Sequence, residues 1–238
     1  MSQDIVEKLR NELQGKSPEE IIRHTLNYFG TESTAFASSF GAEDQVITDM
    51  LVRENKEAQI FTLDTGRLPQ ETYDVLDATR KWYQIKIDVL FPETAAVEAM
   101  LREYGPNLFY ESVENRKKCC QVRKVVPLRK KLSTLKAWIC GLRREQSVTR
   151  TGVEVIEWDD AFQLYKINPL ADYTENEVWD YIRKHDVPYN KLHDQGYPSI
   201  GCAPCTRPIT PGEDVRAGRW WWETPEHKEC GLHIKASK

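Results

Sequence analysis

Two pairs of cysteines are the residues of this chain whose types and spacing point most directly to chemistry. Cys119 and Cys120 are adjacent, and Cys202 and Cys205 form a second pair separated by an alanine and a proline. Adjacent cysteines are too constrained to pair comfortably with each other, so each needs a partner elsewhere. Four thiolates are the ligand set of a tetrahedral zinc ion or of an iron–sulfur cluster. The cysteines therefore indicate a metal centre and leave both metals open.

The segment around the first cysteine pair is strongly basic. From Arg116 to Lys131 it holds eight Lys or Arg residues and no acidic residue. This density is unusual beside anionic sulfurs unless a further negative charge lies nearby. A cluster bound by four thiolates carries such a charge, and so does a sulfated or phosphorylated substrate. One cationic segment can therefore serve both.

Cys230 is a lone cysteine near the C-terminus and stands outside both pairs. Terminal segments are mobile unless they are tied down, so a thiol there can move between a buried site and solvent. This behaviour suits a nucleophile that meets first a small substrate and then a second protein, and His233 and Lys235 favour its thiolate form. An incidental exposed cysteine is the alternative. Cys140, by contrast, lies in an apolar run that is typical of a core residue.

Three predicted loops at the ends of strands offer places for an anionic substrate. The loop from Ser38 to Asp44 suits a phosphate cradle or a plain connector. The loop from Asp64 to Arg67 repeats the pattern after the next strand, and the loop from Gly141 to Arg150 carries three arginines that suit sulfate or phosphate, or simply solvent. Because ligands of parallel sheets bind beyond the carboxyl ends of the strands, we expect these loops to converge.

The elements that carry these loops alternate between strands and helices. Predicted strands at 34–39, 58–63 and 85–90 are each followed by a helix, which is the pattern of parallel βαβ units. The Cys119–Cys120 segment is predicted to be helical up to Pro127 or just past it. A buried strand is predicted at 137–140.

Further signals complete the predicted fold. Residues 153–158 and 162–167 predict a hairpin at one sheet edge. Capping signals at Ser17 and Thr174 predict helix starts, with the first helix ending at Gly30 and the second at His185. The chain is thus predicted to be an α/β protein with a mostly parallel sheet flanked by helices. We expect one domain over 1–238, whose C-terminal extension, a mobile tail over 224–238, carries the nucleophile.

Composition narrows the class of protein. With 238 residues the chain can bury a large core, and its net charge of −4 argues against simple electrostatic binding of nucleic acid. No apolar run approaches the roughly 20 residues of a membrane span, and the N-terminus does not resemble a signal peptide. We therefore expect no membrane partner and a cytoplasmic location, where cysteines more often bind metals or catalyse redox steps than form disulfides. A homo-oligomer is compatible with the sequence, which does not fix the oligomeric state.

Taken together, these residues closely resemble the assimilatory adenylyl-sulfate reductases, the iron–sulfur branch of the family that includes the phosphoadenylyl-sulfate reductases. The resemblance covers roughly Ser38 to His233. Its most specific parts are Cys119-Cys120 with Arg123-Lys124, the run Cys-Ala-Pro-Cys-Thr-Arg-Pro at 202–208, the run from Gly212 to Glu223 with its three tryptophans, and Glu-Cys-Gly-Leu-His at 229–233.

The resemblance implies an activity and a cofactor. It implies a fold like that of the adenine nucleotide α-hydrolases, a [4Fe-4S] cluster on Cys119, Cys120, Cys202 and Cys205, and Cys230 as the nucleophile. In that family the thiolate attacks the sulfur of adenosine 5'-phosphosulfate, expels AMP and becomes a cysteine S-sulfonate. Thioredoxin or a glutaredoxin-like dithiol then releases sulfite, a step of sulfate assimilation toward cysteine biosynthesis.

The resemblance also implies roles for individual residues. Lys124 is expected between cluster and substrate, and Arg216, Arg219 and His233 at the phosphosulfate group. The substrate-binding set is expected to comprise Ser38, Ser39, Gly41, Leu63, Asp64, Thr65, Gly66, Arg67, Gly141, Arg143, Arg144, Arg150, Arg216 and Arg219, with the first loop at the sulfate end and Leu63 to Arg67 and Gly141 to Arg150 at the adenosine and its phosphate. Because thiol exchange accounts for both electrons, the cluster is expected to act structurally and electrostatically.

Three alternatives remain at this stage. An ATP-dependent adenylating or sulfur-transferring enzyme that acts on tRNA would use a serine-glycine-glycine-x-aspartate-serine loop, from which Ser39 to Asp44 departs. A non-enzymatic zinc module would use the same four cysteines. Within the reductases, the 3'-phosphorylated nucleotide is the other substrate, although the cysteine pairs favour the unphosphorylated one.

Overall fold

The structure is a computed structural model that describes residues 2–146, 150 and 152–224. Its helices and strands alternate along much of the chain, as predicted. The helices are α1 (Ser2–Leu13), α2 (Pro18–Phe29), α3 (Ala42–Glu54), α4 (Gln70–Tyr83), α5 (Thr94–Tyr104), α6 (Val113–Cys120), α7 (Val126–Leu132) and α8 (Glu175–His185). The strands are β1 (Thr34–Ala37), β2 (Gln59–Leu63), β3 (Asp88–Leu90), β4 (Ala137–Ile139), β5 (Ile156–Asp159) and β6 (Leu164–Ile167).

The six strands form one sheet in the order β3-β2-β1-β4-β6-β5. All neighbours are parallel except β5 and β6, which form the antiparallel hairpin at one edge. This arrangement confirms the predicted α/β class, the mostly parallel sheet and the edge hairpin. The chain moves outward from β1 in one direction to β3 and then crosses to β4 on the other side of β1. Parallel sheets bind ligands in the crevice at such a reversal.

Both faces of the sheet are buried at its centre, where alternate residues of β1 and β4 supply the two layers. Phe36 and Ile139 belong to one buried apolar cluster, while Ala35 and Trp138 belong to the other. Helices α1, α2, α3 and α8 contribute to the first cluster, and α7 contributes Leu128 and Leu132 to the second. Coverage on both faces is what crossover helices impose on a parallel sheet.

Local capping signals set several of the helix boundaries. Ser17 and Glu20 form a capping box at the start of α2, and Thr174 and Glu177 form another at the start of α8. Each box satisfies two backbone N–H groups that a helix start leaves without intrahelical partners. Both helices begin and end where the sequence predicts.

Other boundaries differ from the predictions. Helix α3 begins at Ala42 rather than at Gln45, because Gly41 has an extended backbone and serves as its N-cap, so the first loop is short. Strand β3 begins at Asp88 rather than at Ile85, since Gln84 ends α4 in a left-handed conformation and the chain pairs with β2 only from Asp88. Helix α1 was not predicted.

The helical segment that carries the first cysteine pair is longer than predicted. Its backbone stays helical from Val113 to Leu132, through α6, a π-helical segment at Gln121–Val125 and α7. Pro127 does not end it, because this residue lies in the first turn of α7, where a missing N–H group costs little. The π-helical segment begins directly after Cys120, and such segments occur frequently at functional sites.

A search of the described residues for membrane spans found no helix that is both long and apolar enough to cross a bilayer.

Candidate active site

A cavity of about 240 Å³ opens where the carboxyl ends of β1 and β4 meet. Its walls come from the loops after these strands, from the end of β2, from the π-helical segment and from the segment around Arg216. The predicted site residues that line it are Ser38, Ser39, Gly41, Leu63, Lys124, Gly141, Arg143, Arg150, Arg216 and Arg219. The fold thus brings together residues that lie up to 181 positions apart in the sequence (219 − 38).

The loop after β1 holds the carboxylate of Asp44. The backbone N–H of Ser39 donates to Asp44 Oδ2 at 2.5 Å, and the Ser39 hydroxyl donates to the same oxygen at 2.7 Å. Burial raises the pKa of Asp44 to about 6, and the two hydrogen bonds oppose this shift. Donors that could face an anion are therefore occupied by a carboxylate of the chain itself. This fold-back was not predicted from the sequence.

Gly141, directly beyond the end of β4, makes room for that carboxylate. A Cβ atom at this position would overlap the Asp44 carboxylate and would lie 3.3 Å from the Cβ of Glu43. The absence of a side chain lets the loops after β1 and β4 come into contact. Here glycine is required by close approach rather than by an unusual backbone angle.

The three arginines of the loop after β4 have different surroundings. Arg143 is buried and pairs with Glu43 through its Nε at 2.9 Å and its Nη2 at 2.8 Å. Arg150 donates to the side-chain oxygen of Gln146 at 2.5 Å. Arg144 does not line the cavity: its Nε donates to the carbonyl of Val153 at 2.7 Å, and its guanidinium pairs with Asp172.

Three other cations line the cavity from the side of the cysteines. Lys124 extends from the π-helical segment, while Arg216 and Arg219 come from the C-terminal part of the described chain and are both buried. The guanidinium of Arg219 lies 4.6 Å from the ring centre of Trp220, and its Nη1 donates to the carbonyl of Ile200 at 3.1 Å. This part of the cavity can stabilise a multiply charged anion.

The loop after β2 lies between the cavity and the cysteines. Of its predicted site residues only Leu63 lines the cavity; Asp64, Thr65, Gly66 and Arg67 do not. Thr65 Oγ1 lies 3.2 Å from Cys202 Sγ, and the carbonyl of Arg67 accepts from the N–H of Ala203 at 2.8 Å. The carbonyl of Thr65 also accepts from Arg123 Nη1 at 2.6 Å. These contacts connect the loop after β2 to the second cysteine pair and to the π-helical segment that follows the first pair.

The four paired cysteines lie at the end of α6 and at one short 3₁₀ turn. Cys119 and Cys120 are the last residues of α6, and Cys202 and Cys205 flank a single 3₁₀ turn closed by a 2.9 Å bond from the N–H of Cys205 to the carbonyl of Cys202. Cys119, Cys202 and Cys205 pack into the apolar cluster around Phe109 and Trp220. All four are free thiols.

Burial dominates the electrostatics of Cys119 and Cys205. It raises the pKa of Cys205 to about 12, with Cys202 adding to the shift and the charges of Arg219 and Lys124 opposing it. Burial likewise raises the pKa of Cys119, and Arg123 opposes that change. Lys124 and Arg219 thus line the cavity and also act electrostatically on a cysteine of the second pair.

The thiols as placed do not converge on one point. Within residues 2–146, 150 and 152–224, no group of three or more His, Cys, Asp or Glu side chains is arranged to hold a metal ion. Cys140 lies apart from the pairs, at the end of β4, where it is fully buried in the cavity wall and burial raises its pKa. Cys230 and His233, predicted to be catalytic, lie outside the described residues, as does nearly all of the predicted tail.

Gln146 and His193 are among the cavity residues that were not predicted as site residues from the sequence. His193 lies on a 3₁₀ turn and packs edge-on against Trp179 at 5.2 Å, and its Nε2 has no hydrogen-bond partner among the described residues. Burial lowers its pKa. The residues next to His193 in the sequence do not predict a site residue there, because its place in the cavity wall depends on contact with α8.

Comparisons with known proteins show similarity to one family. A family model described as the phosphoadenosine phosphosulfate reductase domain matches residues 33–208. A protein of Allochromatium vinosum named adenosine 5'-phosphosulfate reductase is 56% identical over 202 residues, which cover 85% of this chain and 79% of that protein. A protein of Burkholderia cepacia with the same name is 52% identical, with coverage of 85% and 81%.

A solved structure is similar as well. The phosphoadenylyl-sulfate reductase of Candida auris, solved as a phosphate complex, superposes with a TM-score of 0.75 at 27% identity and covers 87% of this chain and 98% of its own. The family match spans all six strands of the sheet and both cysteine pairs. On these grounds the chain belongs to the phosphoadenosine phosphosulfate reductase family.

Proposed function

We propose that this protein reduces adenosine 5'-phosphosulfate to sulfite and AMP through a cysteine S-sulfonate. The observation that supports the proposal best is the cavity at the sheet reversal, where Lys124, Arg216 and Arg219 line the same space as the loops after β1 and β4. A nucleotide with a doubly anionic end matches a cavity that is polar at its loops and cationic beside the cysteines. The names of the relatives specify the same substrate.

The loop after β1, expected from the resemblance at the sulfate end, would instead hold the adenosine together with the loop after β4, because the Ser39 donors are occupied by Asp44 and these loops form the crevice in which α/β sheets bind nucleotides. The three cations would hold the phosphosulfate and stabilise the charge that grows on the bridging oxygen as the bond to sulfur breaks. Arg143, already neutralised by Glu43, would instead shape the wall. Asp64 to Arg67 would contribute by fixing Leu63 and the second cysteine pair rather than by lining the cavity.

The reaction would proceed in two exchanges at sulfur. The thiolate of Cys230 attacks the sulfate sulfur, a bond from that sulfur to Cys230 forms, and AMP leaves with the electron pair of the broken sulfur–oxygen bond. A dithiol protein such as thioredoxin then attacks Cys230 Sγ, and sulfite leaves with the electron pair of the sulfur–sulfur bond. The second thiol of the reductant resolves the mixed disulfide, so the dithiol is oxidised by two electrons and the Cys230 thiol is restored.

The four paired cysteines fit a [4Fe-4S] cluster by their donor set, since thiolates are its usual ligands and these thiols are partly or fully shielded from solvent beside apolar side chains. Cys119, Cys120, Cys202 and Cys205 would hold it. When bound, the cluster supplies a crosslink between two distant segments and a fixed charge near Lys124. His233 would meet the phosphosulfate from the C-terminal segment, together with the nucleophile.

Incubation with labelled adenosine 5'-phosphosulfate in the absence of reductant tests the proposal. Mass spectrometry is expected to find an S-sulfonate on Cys230, and Cys230→Ser is expected to form none and release no sulfite while keeping the brown colour of the cluster. Sulfite release by Cys230→Ser at a rate near that of the unchanged protein would refute the nucleophile. Bound zinc without iron would refute the cluster.

The 3'-phosphorylated nucleotide is the second candidate substrate, because the family model and the Candida auris relative carry its name. Comparison of kcat/KM for the two nucleotides separates the candidates. We expect adenosine 5'-phosphosulfate to be preferred. A higher kcat/KM for the 3'-phosphorylated form would make that compound the substrate and leave the chemistry at Cys230 unchanged.

A further inference from the structure

A fully buried ion pair joins Arg116 to Glu223. Arg116 Nε donates to Glu223 Oε1 at 2.9 Å, and Arg116 Nη2 donates to Glu223 Oε2 at 2.7 Å. The exposed fractions of the two side chains are 0% and 2%. Two parallel bonds between a guanidinium and a carboxylate fix both distance and orientation. The partners are 107 residues apart in the sequence, so the pair is a long-range connection.

The two ends of this pair belong to different parts of the candidate site. Arg116 lies on α6, one turn before Cys119 and Cys120, and its guanidinium also hydrogen-bonds to the side chain of Cys120. Glu223 comes from the last described segment of the chain. The ring centre of Trp220, in the same segment, lies 4.8 Å from the Arg116 guanidinium. The first cysteine pair and the C-terminal segment therefore meet at one buried cation.

The same C-terminal segment is also tied to the second cysteine pair. The N–H of Trp220 donates to the carbonyl of Cys205 at 3.2 Å, and Arg219 forms an antiparallel bridge with Thr206. We call residues 216–223 the C-terminal strap. It carries Arg216 and Arg219 into the cavity wall, and its last residue is Glu223. Both cysteine pairs therefore determine where the strap lies.

An ion pair buried this completely is poorly explained as a source of stability. Removing two charges from water costs about as much as their attraction returns, and apolar pairs of similar size are often as stable. Removal of one partner, by contrast, leaves a buried charge without compensation. Such pairs are suited to specifying one geometry, and here the geometry is that of the strap relative to α6.

We propose that Arg116 and Glu223 are a positioning pair that fixes the C-terminal strap relative to α6, and so orients Arg216 and Arg219 in the cavity wall toward the phosphosulfate. Both arginines lie on the strap, seven and four positions before Glu223 (223 − 216, 223 − 219), and both are buried. Their orientation thus depends on where Glu223 is held. This inference rests on the proposed reaction at Cys230.

Glu223→Gln tests the inference, because it keeps the size of the side chain and removes its charge. Glu213→Gln is the matched control: Glu213 also makes two bonds to an arginine, Arg207, at 3.0 and 2.7 Å, but the two side chains are 30% and 34% exposed and neither residue is on α6. Single-turnover formation of the S-sulfonate is expected to slow by about tenfold or more in Glu223→Gln. AMP affinity is expected to change by less than about threefold, since the loops after β1 and β4 are unaltered.

Hydrogen exchange reports on the strap without any catalysis. Amides of residues 216–223, including the Trp220 N–H bonded to Cys205, are expected to exchange faster in Glu223→Gln and to be unchanged in Glu213→Gln. Should Glu223→Gln fail to fold, the double variant Arg116→Met/Glu223→Met removes both charges and is expected to fold. That variant is still expected to form the S-sulfonate slowly, because an apolar contact does not fix orientation.

The outcomes separate this inference from the proposed function. If the unchanged protein forms no S-sulfonate on Cys230, the proposed function fails. If it does, and either Glu223→Gln or the double variant matches its rate and its strap exchange, the positioning role is overturned. A slow rate accompanied by an equal loss of AMP affinity would also overturn it, because it would point to general damage to the site.

Discussion

Substitution of Gly141 by alanine tests how tightly the loops after β1 and β4 fit together. The added Cβ would overlap the Asp44 carboxylate and lie 3.3 Å from the Cβ of Glu43, so Asp44 has to leave its position. Its two bonds from Ser39, at 2.5 and 2.7 Å, would then be lost. The backbone of Gly141 is not in the left-handed region, so the conflict is steric and not conformational.

The magnitude follows from these contacts. A hydrogen bond to a charged group contributes about 1.5–3 kcal/mol, and part of the loss is offset because the displaced carboxylate regains water. Alanine also restricts the unfolded chain, which returns about 0.4–1 kcal/mol. We therefore expect a net destabilisation of about 2–3 kcal/mol. For a protein of this size that corresponds to a fall in Tm of roughly 5–10 °C.

Thermal unfolding followed by circular dichroism measures this change. Gly41→Ala is the control in the same cavity, since its Cβ would meet nothing closer than Ser39 Oγ at 3.7 Å, and we expect its free energy of unfolding to change by less than about 1 kcal/mol. AMP affinity should also fall in Gly141→Ala, because the displaced carboxylate enters the cavity. An unchanged Tm with unchanged AMP affinity would refute the close contact between the two loops.

Three further predictions concern charge, cluster and helix cap. The pKa of Asp44 is raised to about 6 from 3.8 in the unfolded chain, so the folded state binds the extra proton and loses stability as pH rises through this window. Relative to the unchanged protein, Asp44→Asn should therefore gain about 2 kcal/mol between pH 4 and 7 in denaturant titrations, and a flat difference would refute the shift. Cys120→Ser is expected to abolish the absorbance near 400 nm of the anaerobically purified protein, whereas Cys140→Ser should keep it; equal spectra would contradict the assigned ligands. Ser17→Ala removes the cap that accepts from the N–H of Glu20 at 3.3 Å, and it should lower the free energy of unfolding by about 1 kcal/mol in the same titrations. Ser2→Ala, near the start of α1, is the control and should not share this loss.

Features that depend on neighbours in the sequence were predictable. The capping boxes of α2 and α8 consist of residues three positions apart, so the sequence alone predicts where these helices begin. The alternation of strands and helices likewise predicts the parallel sheet. Because parallel strands end at the same edge, that prediction already brings Ser38, Leu63 and Gly141 toward one cavity.

Features that depend on distant partners were not predictable. The pairing of Arg143 with Glu43 and that of Arg116 with Glu223 each join residues at least 100 positions apart. A basic residue in a loop looks the same in sequence whether it faces a substrate or an internal carboxylate. The sequence therefore does not reveal that the basic Arg144 lies outside the cavity, or that the uncharged Gln146 lines it.

The π-helical segment at Gln121–Val125 has a consequence for how the helix tolerates insertions and deletions. A π turn accommodates one residue more than an α turn does, and each residue of an α-helix turns the backbone by about 100°. Because the wide turn takes up the extra residue locally, α6 and α7 keep the relative orientation of an α-helix that is one residue shorter. A one-residue deletion within α7 before Leu128 would instead rotate the cysteine pair by about 100° relative to Leu128 and Leu132, which are buried against the sheet. The π-helical segment therefore absorbs a difference in length that the regular turns on either side of it cannot.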